Sequence, residues 1–427
     1  MLPCFRNTTL QPRLGFTANW RQIVLLVLVN AFVGAMVGLQ RSLVPLLAGE
    51  VFGIVSGVLM ASFIVAFGLV KAITNLFSGI LADRLRRKHV LVAGWLIVLP
   101  VPAMLAWGPS WAWIIAANVL LGMHQGLTWS MTVTMKIDLA GARRRGLVMG
   151  LNEAAGYASV GLTALLTGYL ASIYGLRPEP FYVGFVYALL GLGLSLVFVR
   201  DTQSYTQLEA SYQTDTIQTR SVRWVIGQTS WRNPTLFAVS QAGFINNLND
   251  GIAWVTFPLL FRLYGLSLEQ TSLVIAVYPL VWGVGQLLTG PLSDRIGRKP
   301  FIVGGMLAQA LGYALIAVAG RAPLGLGLLG SSLLGAGTAL VYPVLIAAVG
   351  DAAQVQWRAT AVGVYRFWRD SGYAVGALLA GVMLGTSLQQ ATSLLATTYL
   401  AAFLTLTAGV VAWYAMRETL SPSPARG

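Results

Sequence analysis

Gly79-Ile80-Leu81-Ala82-Asp83-Arg84-Leu85-Arg86-Arg87-Lys88 closes one long apolar run and opens the next. Gly290-Pro291-Leu292-Ser293-Asp294-Arg295-Ile296-Gly297-Arg298-Lys299 does the same 211 residues later. Other anchors repeat at nearly the same offset: Pro45 with Pro258, Asp138 with Asp351, and Arg145 with Arg358, each 213 residues apart. Four anchors in register mark an internal duplication. The only long polar connection, rich in Ser, Thr and Gln, lies between the copies. It divides the chain into residues 1–200, a linker over 201–233, and residues 234–427.

Composition says where such a duplication resides. Of 427 residues, 56% are hydrophobic and 10% charged, against roughly 25% charged in an ordinary soluble domain. The chain belongs in a lipid bilayer. A spanning helix needs about 20 largely apolar residues, and twelve runs meet that length, from residues 23–47 to residues 391–416. The first run follows a basic stretch but is longer than the apolar core of a signal peptide, so it reads as a retained helix. The fold class expected is all-α: two pseudo-symmetric six-helix bundles.

The net charge of +14 would suggest nucleic acid in a soluble protein, but here the cations cluster in alternate connections. Twenty-one Lys and Arg fall at the N-terminus, the even connections and the C-terminus, against three (Arg177, Arg262, Arg321) in the odd ones. Both termini are therefore expected in the cytoplasm. The partners expected are the lipid bilayer, a small-molecule or ion substrate and protons, with no nucleic acid and a monomeric chain. One cysteine and two histidines exclude a disulfide framework, a Cys-based zinc site and a His-rich metal cage, and no cofactor is expected. Gly325-Leu326-Gly327-Leu328-Leu329-Gly330 fits a dinucleotide fingerprint, but it sits in an apolar span with no preceding strand and reads as close helix packing.

Each of the two opening stretches resembles the signature loop of the major facilitator superfamily, G-x-L-a-D-[RK]-x-G-[RK]-[RK], and the resemblance covers nearly the whole chain. It implies twelve transmembrane helices and a secondary transporter in which the bundles rock about a central cavity. The gating residues implied are Gly79, Asp83, Arg84, Arg87 and Lys88, with Gly290, Asp294, Arg295, Gly297, Arg298 and Lys299. A carboxylate at a helix end can bridge to these arginines and hold the halves together in one state. The same cations also serve as plain topology markers. The first copy has Arg86 where Gly is usual. Drug/proton antiporters of the family carry an arginine in the fourth span and a Gly-Pro late in the fifth; here Asn118 stands at the first place, and Gly156 to Gly161 lacks the proline. Their mechanism does not carry over.

Charges inside the spans are then read on their own terms, because an ionisable group in a bilayer needs a reason. Lys71 lies 12 residues before Asp83, about 18 Å from the loop along a helix, too deep to snorkel. Glu153 sits about 10 Å inside the fifth span, where desolvation can hold a carboxyl neutral until its neighbours change, a means of proton coupling; the alternative is a hydrogen-bonded packing contact with Asn152. The eleventh span holds Arg366, Arg369 and Asp370. Two arginines and one aspartate leave one positive charge unmatched, which can bind an anionic substrate or pair with Glu153, the repeat equivalent of Arg366; the ion pair between bundles is the preferred expectation. In the seventh span Asn246, Asn249 and Asp250 stand at i, i+3 and i+4, one oxygen-bearing face for a cation, a proton or a hydroxylated solute, or else a polar contact between helices. His124 can titrate or ligate a metal, while Arg41, near the end of the first span, can snorkel.

The reading that follows is a secondary transporter, not an enzyme, that exports a small solute with proton coupling through Glu153 or Asp250. The alternatives are transport of an ionic solute, either an organic anion or a metal cation such as iron, and a non-transporting scaffold or sensor with the same fold. The location expected is the bacterial cytoplasmic membrane or one derived from it.

Overall fold

The computed structural model describes residues 15–140, 145–205, 221–353, 357–385 and 391–420. Among the described residues there is no strand. The first half contains α1 (Phe16–Gly38), α2 (Val44–Glu50), α3 (Gly57–Arg84), α4 (Arg87–Val98), α5 (Val101–Trp107), α6 (Trp111–Ala140), α7 (Arg145–Tyr174) and α8 (Tyr182–Val197). A short α9 (Val222–Gly227) precedes α10 (Pro234–Leu263), α11 (Leu268–Ile296), α12 (Arg298–Ala317), α13 (Pro323–Ala352), α14 (Arg358–Leu384) and α15 (Ala391–Ala415).

These helices make twelve passes, six on each side of the linker. Two passes are broken: α1 gives way to α2 through a turn ahead of Pro45, and α4 to α5 at Leu99-Pro100. Proline lacks the N–H that would continue the helical ladder. Among the described residues, nine passes are long and apolar enough to cross a bilayer. The other three, α6, α10 and α14, match them in length but carry the polar residues His124 and Lys136, Asn246 to Asp250, and Arg366 to Asp370. Most of those side chains are buried in the protein, away from the surface that lipid would cover, which is where a membrane helix tolerates them.

The duplication in sequence is a duplication in packing. Within the bundles α1 packs on α7, and its repeat mate α10 packs on α14. Between the bundles α3 packs on α14, and its mate α11 packs on α7. Small residues permit these crossings. A Cβ at Gly34 would strike the Gly156 carbonyl within the first bundle. Between bundles, a Cβ at Gly57 would strike Gly381, one at Gly168 would strike Ser272, and one at Gly161 would come within 2.7 Å of the Ala276 carbonyl. Gly57 opens α3 and Gly168 lies near the end of α7, so this close approach runs along the face opposite the repeated loops.

Candidate functional site

Between the bundles lies a cavity of about 460 Å³, its open mouth included. Three pairs of its lining residues are repeat equivalents 213 residues apart: Trp129 and Tyr342, Val133 and Ile346, Glu153 and Arg366. The cavity therefore straddles the pseudo-two-fold axis. Met149, also in the lining, is four residues from the start of α7, about 6 Å along the helix, so the space extends toward the face bearing the repeated loops. Away from that face, the Tyr157 ring stacks on Trp282 with centroids 3.5 Å apart, and its hydroxyl meets that of Tyr342 at 3.0 Å.

Of the charged candidates, Lys71, Glu153, Arg366 and Arg369 line this space together. Lys71 is 6% exposed; its ammonium lies 4.7 Å from the Tyr373 ring centre and 5.8 Å from that of Phe67. It has no hydrogen-bond or ion-pair partner among the described residues. Arg369 donates from Nε to Asp370 Oδ1 at 2.9 Å and lies over the Tyr342 ring. Asp370 is further held by Asn75 at 2.9 Å and Asn247 at 3.5 Å, so this pair is internally satisfied.

The expected ion pair between Glu153 and Arg366 is not formed. Glu153 Oε1 instead accepts hydrogen bonds from Trp129 Nε1 at 2.8 Å and Asn152 Nδ2 at 2.9 Å. Arg366 has a buried Nε without an acceptor and no ion pair among the described residues. Both share the cavity wall, but the carboxylate is turned to donors of its own bundle.

The expected oxygen face of the seventh pass is divided. Asn246 accepts from Gln309 at 3.0 Å; Asn249 donates to Gln309 at 3.1 Å and accepts from Thr405 at 2.9 Å. Both are spent inside the second bundle, on α12 and α15. Asp250 faces the other way and forms a buried ion pair with Arg41 of the first bundle. That guanidinium lies 5.2 Å from the ring centre of Trp254, its own repeat equivalent, and 5.6 Å from that of Tyr278. Arg41 is 4% exposed and does not snorkel. It closes the interface on the face opposite the repeated loops. No group of three or more His, Cys, Asp and Glu suited to a metal ion occurs among the described residues.

His124 stands apart from the cavity. Fully buried between α4 and α6, it sets Nδ1 3.0 Å from the Gly94 carbonyl and its ring 4.6 Å from Trp95. Lys136, which sequence position assigns to a loop, is also buried, in α6. It donates to Asn152 and to the Leu26 carbonyl, and so stands one residue behind Glu153.

The repeated loops bind helices within each bundle. Arg87 Nε lies 2.8 Å from Asp138, and Arg298 Nε donates to Asp351 at 3.1 Å. These are the same ion pair in the two copies. Arg298 also meets Asp294 at 2.6 Å, and Lys88 donates to the Leu196 carbonyl. In this conformation the described cations of the loops pair within their own bundles. Gly79, Asp83 and Arg84 lie in α3, but their side chains fall outside the described residues. Gly290 lies in α11, Arg295 is exposed, and Gly297, at φ +118°, turns the chain into α12. Lys299 stacks over Trp413. Partial burial alone would push the Glu418 carboxyl up. N–H donors from Leu420, Arg298, Lys299 and Thr419 outweigh it and hold the group below the ordinary carboxylate range.

Sequence reasoning missed Arg41 as a partner, Lys136 as a buried cation, and Asn75 and Asn247 as holders of the Asp370 carboxylate; the contact of Asn152 with Glu153 is the alternative it offered. A signal was present for two of them. Arg41 stands between Gln40 and Ser42, a polar triplet ahead of Pro45, and Lys136 extends a run already helical.

The family model described as Major Facilitator Superfamily matches residues 25–240 and 239–427. A multidrug resistance protein, MdtG, of a Rahnella species is 26% identical over 382 residues, 86% of this chain and 87% of that one. A chloramphenicol resistance protein of Pseudomonas aeruginosa is 32% identical over 102 residues, and the match spans 23% of this chain and 24% of that relative. Among solved structures, the nucleoside transporter NupG superposes with a TM-score of 0.74 at 13% identity, over 93% of this chain and all of that one.

Proposed function

We propose that this chain, which belongs to the Major Facilitator Superfamily and is an integral, multi-pass membrane transporter, exports a small organic solute by alternating access, with proton movement coupled through Glu153. Export is supported by relatives named for drug resistance. The face bearing the repeated loops is the cytoplasmic one, because the cations concentrate there. The observation that carries the coupling is the position of Glu153: a carboxylate in the cavity wall, opposite its repeat equivalent Arg366, without a cation bound to it. A group so placed can take a proton while solute occupies the cavity and release it when the bundles rock. Asp250, locked to Arg41, holds the far side shut.

The test uses the full chain in liposomes containing a pH-sensitive dye, with organic anions, organic cations, sugars and divalent metals supplied in turn. Wild type is expected to show solute-dependent proton flux that Glu153→Gln loses while solute still moves. Proton flux undiminished in Glu153→Gln would remove that residue from the coupling. Solute movement without any proton flux would make the protein a uniporter, and silence across the panel would favour the scaffold reading.

A further inference from the structure

Five charged side chains stand at or beside the cavity, and only two are matched to each other. Arg369 and Asp370 neutralise one another, and both Asp370 oxygens are occupied, Oδ1 by Arg369 and Asn247 and Oδ2 by Asn75. Among the described residues that carboxylate makes no hydrogen bond or ion pair with Lys71. Lys71 and Arg366 therefore face the cavity as two cations opposed by one carboxylate, Glu153, which is bound to neutral donors. An aromatic face under an ammonium replaces only a small part of the hydration the ion gave up. The positive surplus has no counterpart in the protein among the described residues, so the counterpart is the cargo.

The walls add a second requirement. Trp129, Tyr157 and Tyr342 bring three aromatic side chains to the lining, and rings attract a planar apolar body by stacking and edge contacts. From this we infer that the transported solute is a small aromatic organic anion, its charged group held by Lys71 and Arg366, and that it occupies the cavity together with a proton on Glu153. The inference rests on the transport reading above and sets its coupling. Protonating Glu153 removes the one negative charge that competes for Lys71 and Arg366, so proton and anion each strengthen the binding of the other. A monoanion and one proton then cross together, with no net charge moved, and the gradient of the organic acid itself drives export. An exchanger would need the opposite, competition between proton and solute. The titratable groups around Glu153 are Lys71 on α3, Lys136 on α6 by way of Asn152, Tyr157 on its own helix, Tyr342 on α13, and Arg366 and Arg369 on α14, with Asp370 bonded to Arg369. The adjoining α1 and α11 present Asn30 and Trp282, which do not titrate in this range.

The experiment measures binding and flux with the full chain in nanodiscs and liposomes. The probes are naphthalene-1-sulfonate, a permanent aromatic anion; benzyltrimethylammonium, its cationic counterpart; and inorganic sulfate. Sulfonate is expected to bind and the ammonium not to. Binding weakens by at least about tenfold in Lys71→Gln and in Arg366→Gln, and Lys71→Arg restores it. Lowering the pH strengthens wild-type binding by a factor within roughly 5 to 150, and Glu153→Gln binds tightly at every pH. Sulfonate flux in wild type ignores a potential imposed with potassium and valinomycin, whereas flux in Glu153→Gln follows it.

Preferential binding of the ammonium, or sulfonate binding unchanged in both cation variants, overturns the anion assignment. Sulfate bound as tightly as the sulfonate overturns the aromatic requirement. Wild-type flux that follows the imposed potential overturns the joint movement of proton and anion. The two proposals fail separately: sulfonate binding without proton-linked flux leaves the anion site and removes the coupling, while proton-linked flux of the ammonium leaves a transporter and removes the anion.

Discussion

Along the face away from the repeated loops, Arg41 of one bundle is bonded to Asp250 of the other, and glycines at 57, 161 and 168 let the helices touch. A few turns toward the loops the same interface opens into a cavity where, among the described residues, Lys71, Glu153 and Arg366 have no ion-pair partner. The bilayer makes both arrangements expensive, for different reasons. A paired buried charge is held by its partner and breaks only with a large penalty, so it fastens. An unpaired one persists only where something else completes it, so it marks where solute and proton act.

Removing one partner of the fastened pair should give the largest effect. Asp250→Ala leaves Arg41 buried and unmatched, at about 3–5 kcal/mol. A marked fall in the melting temperature of the protein in nanodiscs is the expected result. The double change Arg41→Met with Asp250→Leu should recover most of the loss, since two apolar side chains need no counter-charge.

Next come the glycines, which separate the fold from the closure. Gly34→Ala overpacks α1 on α7 inside one bundle and should cost about 1–3 kcal/mol of stability. Gly57→Ala introduces a similar collision between bundles and should favour the conformation in which they part. The readout is labelling of a cysteine placed at Ser272 by a membrane-impermeant maleimide, in protein with Cys4 replaced by serine. Labelling should increase in Gly57→Ala and remain unchanged in Gly34→Ala; equal behaviour would erase the distinction between the two contacts.

A smaller effect is expected from Lys136→Met. It removes a donor to Asn152, the residue that in turn donates to Glu153, at about 1 kcal/mol of stability. The pH profile of solute-dependent proton flux should move, while a purely structural Lys136 would leave that profile in place. The smallest belongs to Glu418→Gln, at an exposed strap on the second repeated loop. The folded carboxyl is held below its ordinary range, so its contribution is complete above that range and is lost as pH falls through the lowered value. The melting difference between wild type and Glu418→Gln should therefore be small at neutral pH and vanish in acid.

The helical passes were legible because they depend on local quantities. Run length and apolar content mark them, and even α6, α10 and α14, the least apolar, follow from the register of the repeat. The repeat offset also located the cavity, since Glu153 and Arg366 were placed opposite each other by counting alone. Their pairing was not legible: Glu153 has Trp129 and Asn152 within reach, and both donors lie in its own bundle. Lys136 was misread for a related reason. A cation near a helix end looks like a loop marker until the helix is seen to continue past it to Ala140.

Sequence by itself determined the duplicated six-helix architecture and the family, and placed Lys71, Glu153, Asp250, Arg366 and Arg369 inside long helices, because helix formation and insertion respond to composition over tens of consecutive residues. Only the tertiary structure decided which of those charges are spent. Successive residues on a helix point about 100° apart, so Asn249 and Asp250, adjacent in the chain, face different neighbours. Asn249 turns to Gln309 and Thr405 within its bundle, and Asp250 to Arg41 across the interface. Which neighbour stands in each direction is set by how twelve helices pack, and among the described residues that packing gives Lys71 and Arg366 no ion-pair partner.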